Sequence, residues 1–170
     1  MEGLISEKIK LSLEEIISHC FYINRMADRI VSILSVKFVM PKTAGIYHKG
    51  YAHWAPAYAD IISDYMDSRD CTTIYGETIR GDQNYENPLD CFNKSLEMNL
   101  ELEKKIKKAI EIAKADNDYT TLVFLQCALE KVIPITKDLL LLVDKLELYG
   151  DTAKDWMRFD KDIEEFEVFS

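Results

Sequence analysis

Apolar residues recur at spacings of three and four along most of this 170-residue chain, a period that predicts helices rather than strands. The clearest stretch runs from Asn87 to Asp118. Asn87 suits a helix cap, because its side-chain oxygen accepts from the free amides of the first turn, and Pro88 suits the first helical position, where no amide is needed. Leu89, Phe92, Leu96, Ile106, Ile110 and Ala113 form one stripe that must face other helices. Two positions on that seam break the rule. Asn99 and Glu103 fall where an unpaired amide or carboxylate costs on the order of a few kcal/mol.

The same period predicts a first helix over residues 4–39, through Ile9, Leu13, Ile16, Cys20, Ala27, Ile30 and Leu34, uninterrupted by Gly or Pro. The breakers Pro41 and Gly45 then read as a loop. A second helix spans 47–69, with Tyr51, Trp54 or Ala55, Tyr58, Ile61 or Ile62, and Tyr65 inward. Pro56 lies inside it and frees the carbonyl of Ala52, so a kink or a late start is expected. Residues 71–86 carry two Gly and no helical period, and read as a long connection. The third helix spans 88–116. Asn117 and Asp118 mark a turn before a fourth helix over 119–149, whose seam includes Leu122, Leu125, Leu129, Val132, Leu139 and Leu146. Pro134 should bend it, and Gly150 is a natural stop. Trp156, Phe159, Ile163 and Phe166 share one face of a short helix over 155–166. Four long helices, a crossover between the second and third, and a short fifth helix make an all-α bundle, read as one domain over residues 1–170.

Composition narrows the function classes. Hydrophobic content of 48% with six Gly and four Pro suits a packed core. Thirty acidic against 21 basic residues give a net charge of -9, which repels phosphate backbones and anionic lipid and argues against nucleic-acid and membrane partners. No apolar run approaches the roughly 20 residues of a membrane span. The start MEGLISEKIK has no apolar signal core, which leads us to expect a cytoplasmic chain. Cys20, Cys71, Cys91 and Cys127 show no zinc or redox spacing, so reduced thiols are expected.

Several ordered segments resemble the ferritins, in particular the prokaryotic ones. NPLDCFNKSLEMN in the third helix is similar to the family's S-P-L-E-x-F-E-x-A-L-E-H-E, and NDYTTLVFLQCALEK in the fourth to N-D-Y-A-T-x-x-F-L-Q-W-x-V-x-E. SDYMDSRDC and ISEKIKLSLEEII resemble the end of the family's second helix and the start of its first, and the tail from Gly150 to Glu165, with Asp160, resembles its ending. The resemblance implies a ferritin-like four-helix bundle that dimerises and builds a hollow octahedral shell. It also implies an oxidase centre in which carboxylates and one histidine from all four helices hold two irons.

Carried over position by position, those ligands are substituted. The first-helix glutamate falls on Cys20, the second-helix glutamate and histidine on Ala55 and Tyr58, the third-helix glutamate on Asn99, and the fourth-helix glutamate on Lys131, with Val132 replacing a glutamine. The inward tyrosine falls on Ala27, and the acidic pair of an accessory site on Pro134 and Ile135. A five-residue slide of the first helix would offer Glu15 instead of Cys20, at the expense of the SEKI and LEE matches. Cys20, Ala55, Tyr58, Asn99 and Lys131 are expected not to bind metal, since hard carboxylate oxygens are what ferric iron requires. No tightly bound cofactor is expected, and iron enters only through the resemblance.

Tyr58, Asn99 and Lys131 are expected to meet as a polar core cluster, in which phenol, amide and ammonium satisfy one another. A buried Lys131 would have a lowered pKa, and beside Cys20 it would favour thiolate. His48 and His53, five apart, should not share a helical face, and His19 has Glu15 one turn back. Asp60, Asp64 and Asp67 read as surface charge. The resulting expectation is a ferritin-like subunit of iron storage or handling that does not oxidise ferrous iron at a bundle centre and that self-assembles or joins a catalytic ferritin. The alternative is an interaction or scaffold protein on the same fold with no iron role. A DNA protector of the Dps kind is disfavoured by the acidic balance and the lack of a basic arm.

Overall fold

The computed structural model describes residues 3–170. Met1 and Glu2, the first residues of the start read above, lie outside it. The elements are α1 (Glu7–Val36), α2 (Pro41–Tyr47), a π-helical turn (His48–Ala52), α3 (Trp54–Ser68), α4 (Pro88–Ala115), α5 (Tyr119–Tyr149), α6 (Ala153–Asp162) and a closing 3-10 turn (Ile163–Phe166).

The helix ends follow from local chemistry. Ser6 caps α1 by accepting from the Ile9 amide at 3.2 Å, while the preceding Leu4 amide is committed to the Arg69 carbonyl at 2.9 Å. That commitment starts α1 three residues later than its apolar period suggests. Asn87 accepts from Asp90 at 2.9 Å and Pro88 opens α4, as expected. Asn117 takes φ 53, a left-handed turn that asparagine tolerates, between α4 and α5.

The second helical segment begins at Pro41, in the stretch read as a loop. Proline at the first helical position is a start signal as much as a breaker, and Asp160 of α6 supplies the cap. Its Oδ1 accepts from the Thr43 amide at 2.7 Å, a carboxylate at the positive end of a helix.

The helices pack as an antiparallel bundle. Hydrogen bonds join α1 to α4 through His19 and the Met98 carbonyl at 2.8 Å, and α3 to α5 through Tyr58 and the Ala128 carbonyl at 2.8 Å and Tyr65 and Thr121 at 2.8 Å. The crossover from Cys71 to Glu86 has no regular structure and runs along α1. Glu14 holds the Ile74 amide at 2.6 Å, Arg29 holds the Gln83 carbonyl at 2.8 Å, and Lys37 holds the Tyr85 carbonyl. The core fills the bundle axis with Leu13, Ile16, Ile23, Ile30, Ile62, Phe92, Leu102, Leu125 and Leu139, all buried.

Candidate functional site at the bundle centre

Cys20, Ala55, Tyr58 and Asn99 are all buried, and the cross-links between helices place them at the middle of the bundle. His19 of α1 lies against Met98 of α4, so the neighbouring Cys20 and Asn99 share a level. The first-helix register therefore puts Cys20 inward. Glu15, which the slid register would have used, is exposed and pairs with Lys108 at 3.7 Å.

Each buried polar group has a specific environment. The Tyr58 hydroxyl donates to the carbonyl of Ala128 at 2.8 Å, and its ring stacks on Trp54 with centroids 4.9 Å apart. Burial pushes its pKa well up, as it does for Tyr51 and Tyr47. Burial likewise pushes the Cys20 thiol up, so it stays protonated and apolar in character. Ala55 contributes only a methyl group.

Asn99 is not paired as expected. Its Nδ2 donates to Thr136 Oγ1 at 2.7 Å, and Thr136 in turn donates to Glu103 Oε1 at 2.7 Å. Glu103, half-buried, then meets Lys107 at 3.6 Å. The two polar residues that interrupt the α4 seam are thus joined through one hydroxyl of α5, and the chain of contacts runs out to solvent. Asn99 Oδ1 remains buried without a hydrogen-bond partner.

Lys131 does not belong to this cluster. It stands on the exposed face of α5, and Tyr58 and Asn99 have other partners. The physical reason is the phase of α5. Ala128, Val132, Ile135, Thr136 and Leu139 take the inward stripe, and a residue one position from Val132 is rotated about 100° away from it. The premises for a lowered lysine pKa and for an activated Cys20 thiolate fall with it. Thr136 is the residue that sequence reasoning missed; its place one turn beyond Val132, opposite Asn99, was the available signal.

The donors at the centre are therefore a thiol, a phenol committed to a carbonyl, and an amide committed to a threonine, with Val132 and Ile135 opposite them on α5. These are soft or neutral groups, poorly matched to iron, which takes hard anionic oxygens and imidazole. Among the described residues, no group of three His, Cys, Asp or Glu side chains is arranged to hold a metal ion.

The remaining expectations sort as follows. Ala27 is buried, Pro134 is exposed and Ile135 is buried. Asp60, Asp64 and Asp67 are exposed. His19 is turned from Glu15 to the Met98 carbonyl, and burial lowers its pKa. His48 and His53 do share a face, contrary to the α-helical expectation: their ring centroids are 4.2 Å apart. The π turn between them accounts for it. No described helix is long and apolar enough to cross a membrane.

A family model for the ferritin-like domain matches residues 52–149. Among solved structures, an open-pore ferritin from the hyperthermophilic archaeon Archaeoglobus fulgidus is similar, with a TM-score of 0.87 at 20% identity over 94% of this chain and 96% of that one. A humanized archaeal ferritin gives a TM-score of 0.86 at 21% identity over 94% and 96%. An engineered closed form of the Archaeoglobus fulgidus ferritin also gives 0.86 at 21% identity over 94% and 96%. No curated protein matches the chain. At these identities the structural likeness carries the fold.

Proposed function

The chain belongs to the ferritin-like family, and from that premise we propose that it is a subunit of iron storage or handling without an iron-oxidising centre in its bundle. The observation that carries this reading is the donor set at the centre. Cys20, Ala55, Tyr58 and Asn99 occupy the inward positions of three helices, and none is a carboxylate or an imidazole. The Tyr58 hydroxyl and the Asn99 side-chain nitrogen are spent on protein contacts. Tyr58 holds the Ala128 carbonyl and Asn99 donates to Thr136, and the oxygen left free, Asn99 Oδ1, is neutral, so two ferric ions would lack the anionic ligands they require.

The subunit self-assembles, on this reading, through α1 and the crossover that lies on it. Leu11, Ile74, Tyr75 and Ile79 remain exposed there, an apolar surface that a second copy would cover. Assembly with a catalytic ferritin would supply the oxidation that this chain lacks, and iron would then be cargo rather than a resident cofactor.

Aerobic oxidation of ferrous iron by the purified, metal-free protein tests the reading. The expected trace follows buffer alone. A fast phase saturating at a fixed ratio of iron to subunit would overturn it. Sedimentation velocity tests the assembly: a species larger than a dimer is expected, whereas a dimer that goes no further would favour a scaffold role.

A further inference from the structure

We propose that His48 and His53 together bind one divalent transition cation of the imidazole-preferring class, Ni2+, Cu2+ or Zn2+, at the π turn. This site is separate from the bundle centre and does not depend on the iron reading.

In a regular α-helix, residues five apart point about 140° away from each other, and two histidines at that spacing cannot share a ligand. The chain abandons α geometry over these five residues. From His48 to Ala52 it forms a π turn, and the His53 amide bonds to the His48 carbonyl at 3.0 Å. That i→i+5 bond brings the two side chains onto one side of the helix. A single-turn π insertion of this kind is rare and recurs at functional sites.

The rings are close and tilted rather than stacked. Their centroids are 4.2 Å apart and their planes are inclined by 54°. Metal–nitrogen bonds of about 2.0–2.1 Å to one cation place two ring centroids roughly 4.5–5 Å apart, so a small opening of the pair from 4.2 Å admits the ion. No hydrogen bond fixes either ring to another protein group among the described residues.

Asp28 supplies the supporting charge. Its Oδ1 lies 3.7 Å from His48 Nε2. At that distance the carboxylate is not hydrogen-bonded to the ring, and its negative charge favours a cation held beside it. The protein gives two nitrogens, since no three ligating side chains are grouped among the described residues, and water completes the coordination.

The test is titration of the full-length chain with Ni2+ alone, read by calorimetry and by the His ring signals in NMR. One Ni2+ per chain is expected. H48Q and H53Q should each weaken binding by more than about tenfold, and the double variant should weaken it no further, because a chelate is lost whole. D28N should weaken it by less than either histidine variant, since Asp28 acts through its charge alone. Wild-type protein that binds no Ni2+ would overturn the proposal. So would an H53Q variant with unchanged affinity, or single variants whose losses add as independent sites. Both histidines are at least partly solvent-accessible, so their replacement leaves the core intact.

Discussion

The side-chain amide of Asn24 donates to the carbonyl of Ala52 at 2.8 Å. Pro56 has no amide to give that carbonyl, which is buried where α3 begins. A residue of α1 thus fills the gap that a proline opens in the neighbouring helix, and the two interruptions of the second helix, π turn and proline, are stitched to the bundle at one point. Asn24→Ala should destabilise the protein by about 1–3 kcal/mol, the cost of an orphaned buried carbonyl. In a Pro56→Ala background the new amide can serve Ala52, so the penalty should shrink. Urea unfolding of the four proteins of the cycle measures the coupling; additive penalties would show that Asn24 and Pro56 act independently.

The Asn99–Thr136–Glu103 chain makes an asymmetric prediction. Asn99→Leu removes the one group whose Oδ1 is already unpaired and leaves Thr136 its bond to Glu103. It should change stability by less than about 1 kcal/mol, in either direction. Thr136→Val strands the Asn99 amide and takes the donor from Glu103, and should cost about 1–3 kcal/mol. Equal penalties in thermal unfolding would contradict this assignment.

That chain also marks how far the sequence could be read. The inward seams of α1, α4 and α5 were legible because burial imposes a period of 3.6 on any long amphipathic helix, and Cys20, Ala55, Tyr58 and Asn99 were placed inward for the same reason. The family motif points Lys131 inward, whereas the apolar phase of its own helix, set by Val132 and Leu139, points it out to solvent. The π turn was illegible. Its five residues, HKGYA, carry no pattern that distinguishes a π turn from an α turn, so the nearness of His48 and His53 emerges only in three dimensions. Helix α2 was hidden by Pro41, whose role as a start residue depends on Asp160, more than a hundred positions away.

Gly50 faces Phe169 so closely that a Cβ at position 50 would stand 2.3 Å from that of Phe169. The tail is held there by the Phe169 amide, which donates to Asp138 at 2.8 Å, and by the ring lying parallel to Tyr51. Gly50→Ala gains helical propensity worth about 0.5–1 kcal/mol, yet the clash must displace backbone-proximal atoms of the tail, an overpacking cost of about 1–3 kcal/mol. The net effect in the wild-type chain should be destabilising. With the last two residues deleted, the same substitution should stabilise. Chemical denaturation of the four variants decides; a stabilising Gly50→Ala in the full chain would mean that the tail is not seated as described.

Buried acids set the alkaline limit of stability. Burial raises the Cys91 thiol from the usual 9.0 to about 12, and the Cys20 thiol and the Tyr47, Tyr51 and Tyr58 hydroxyls are also pushed up. All of these groups are neutral when protonated, and the native state keeps their protons at a pH where the unfolded chain releases them. Above about pH 9 the unfolded state binds fewer protons than the native one, so stability falls as pH rises. The thiol contribution is complete below about pH 9 and erodes from there towards pH 12, by about 1.4 kcal/mol per pH unit for each thiol. Cys91→Ala opens a small cavity, a cost that does not vary with pH, but it removes one titrating group and should flatten the decline above pH 9. Urea unfolding of both proteins between pH 8 and pH 10.5 separates the two effects, since the cavity shifts the whole curve and the lost thiol changes its slope. Parallel declines would show that Cys91 ionises as readily in the native state as in the unfolded chain.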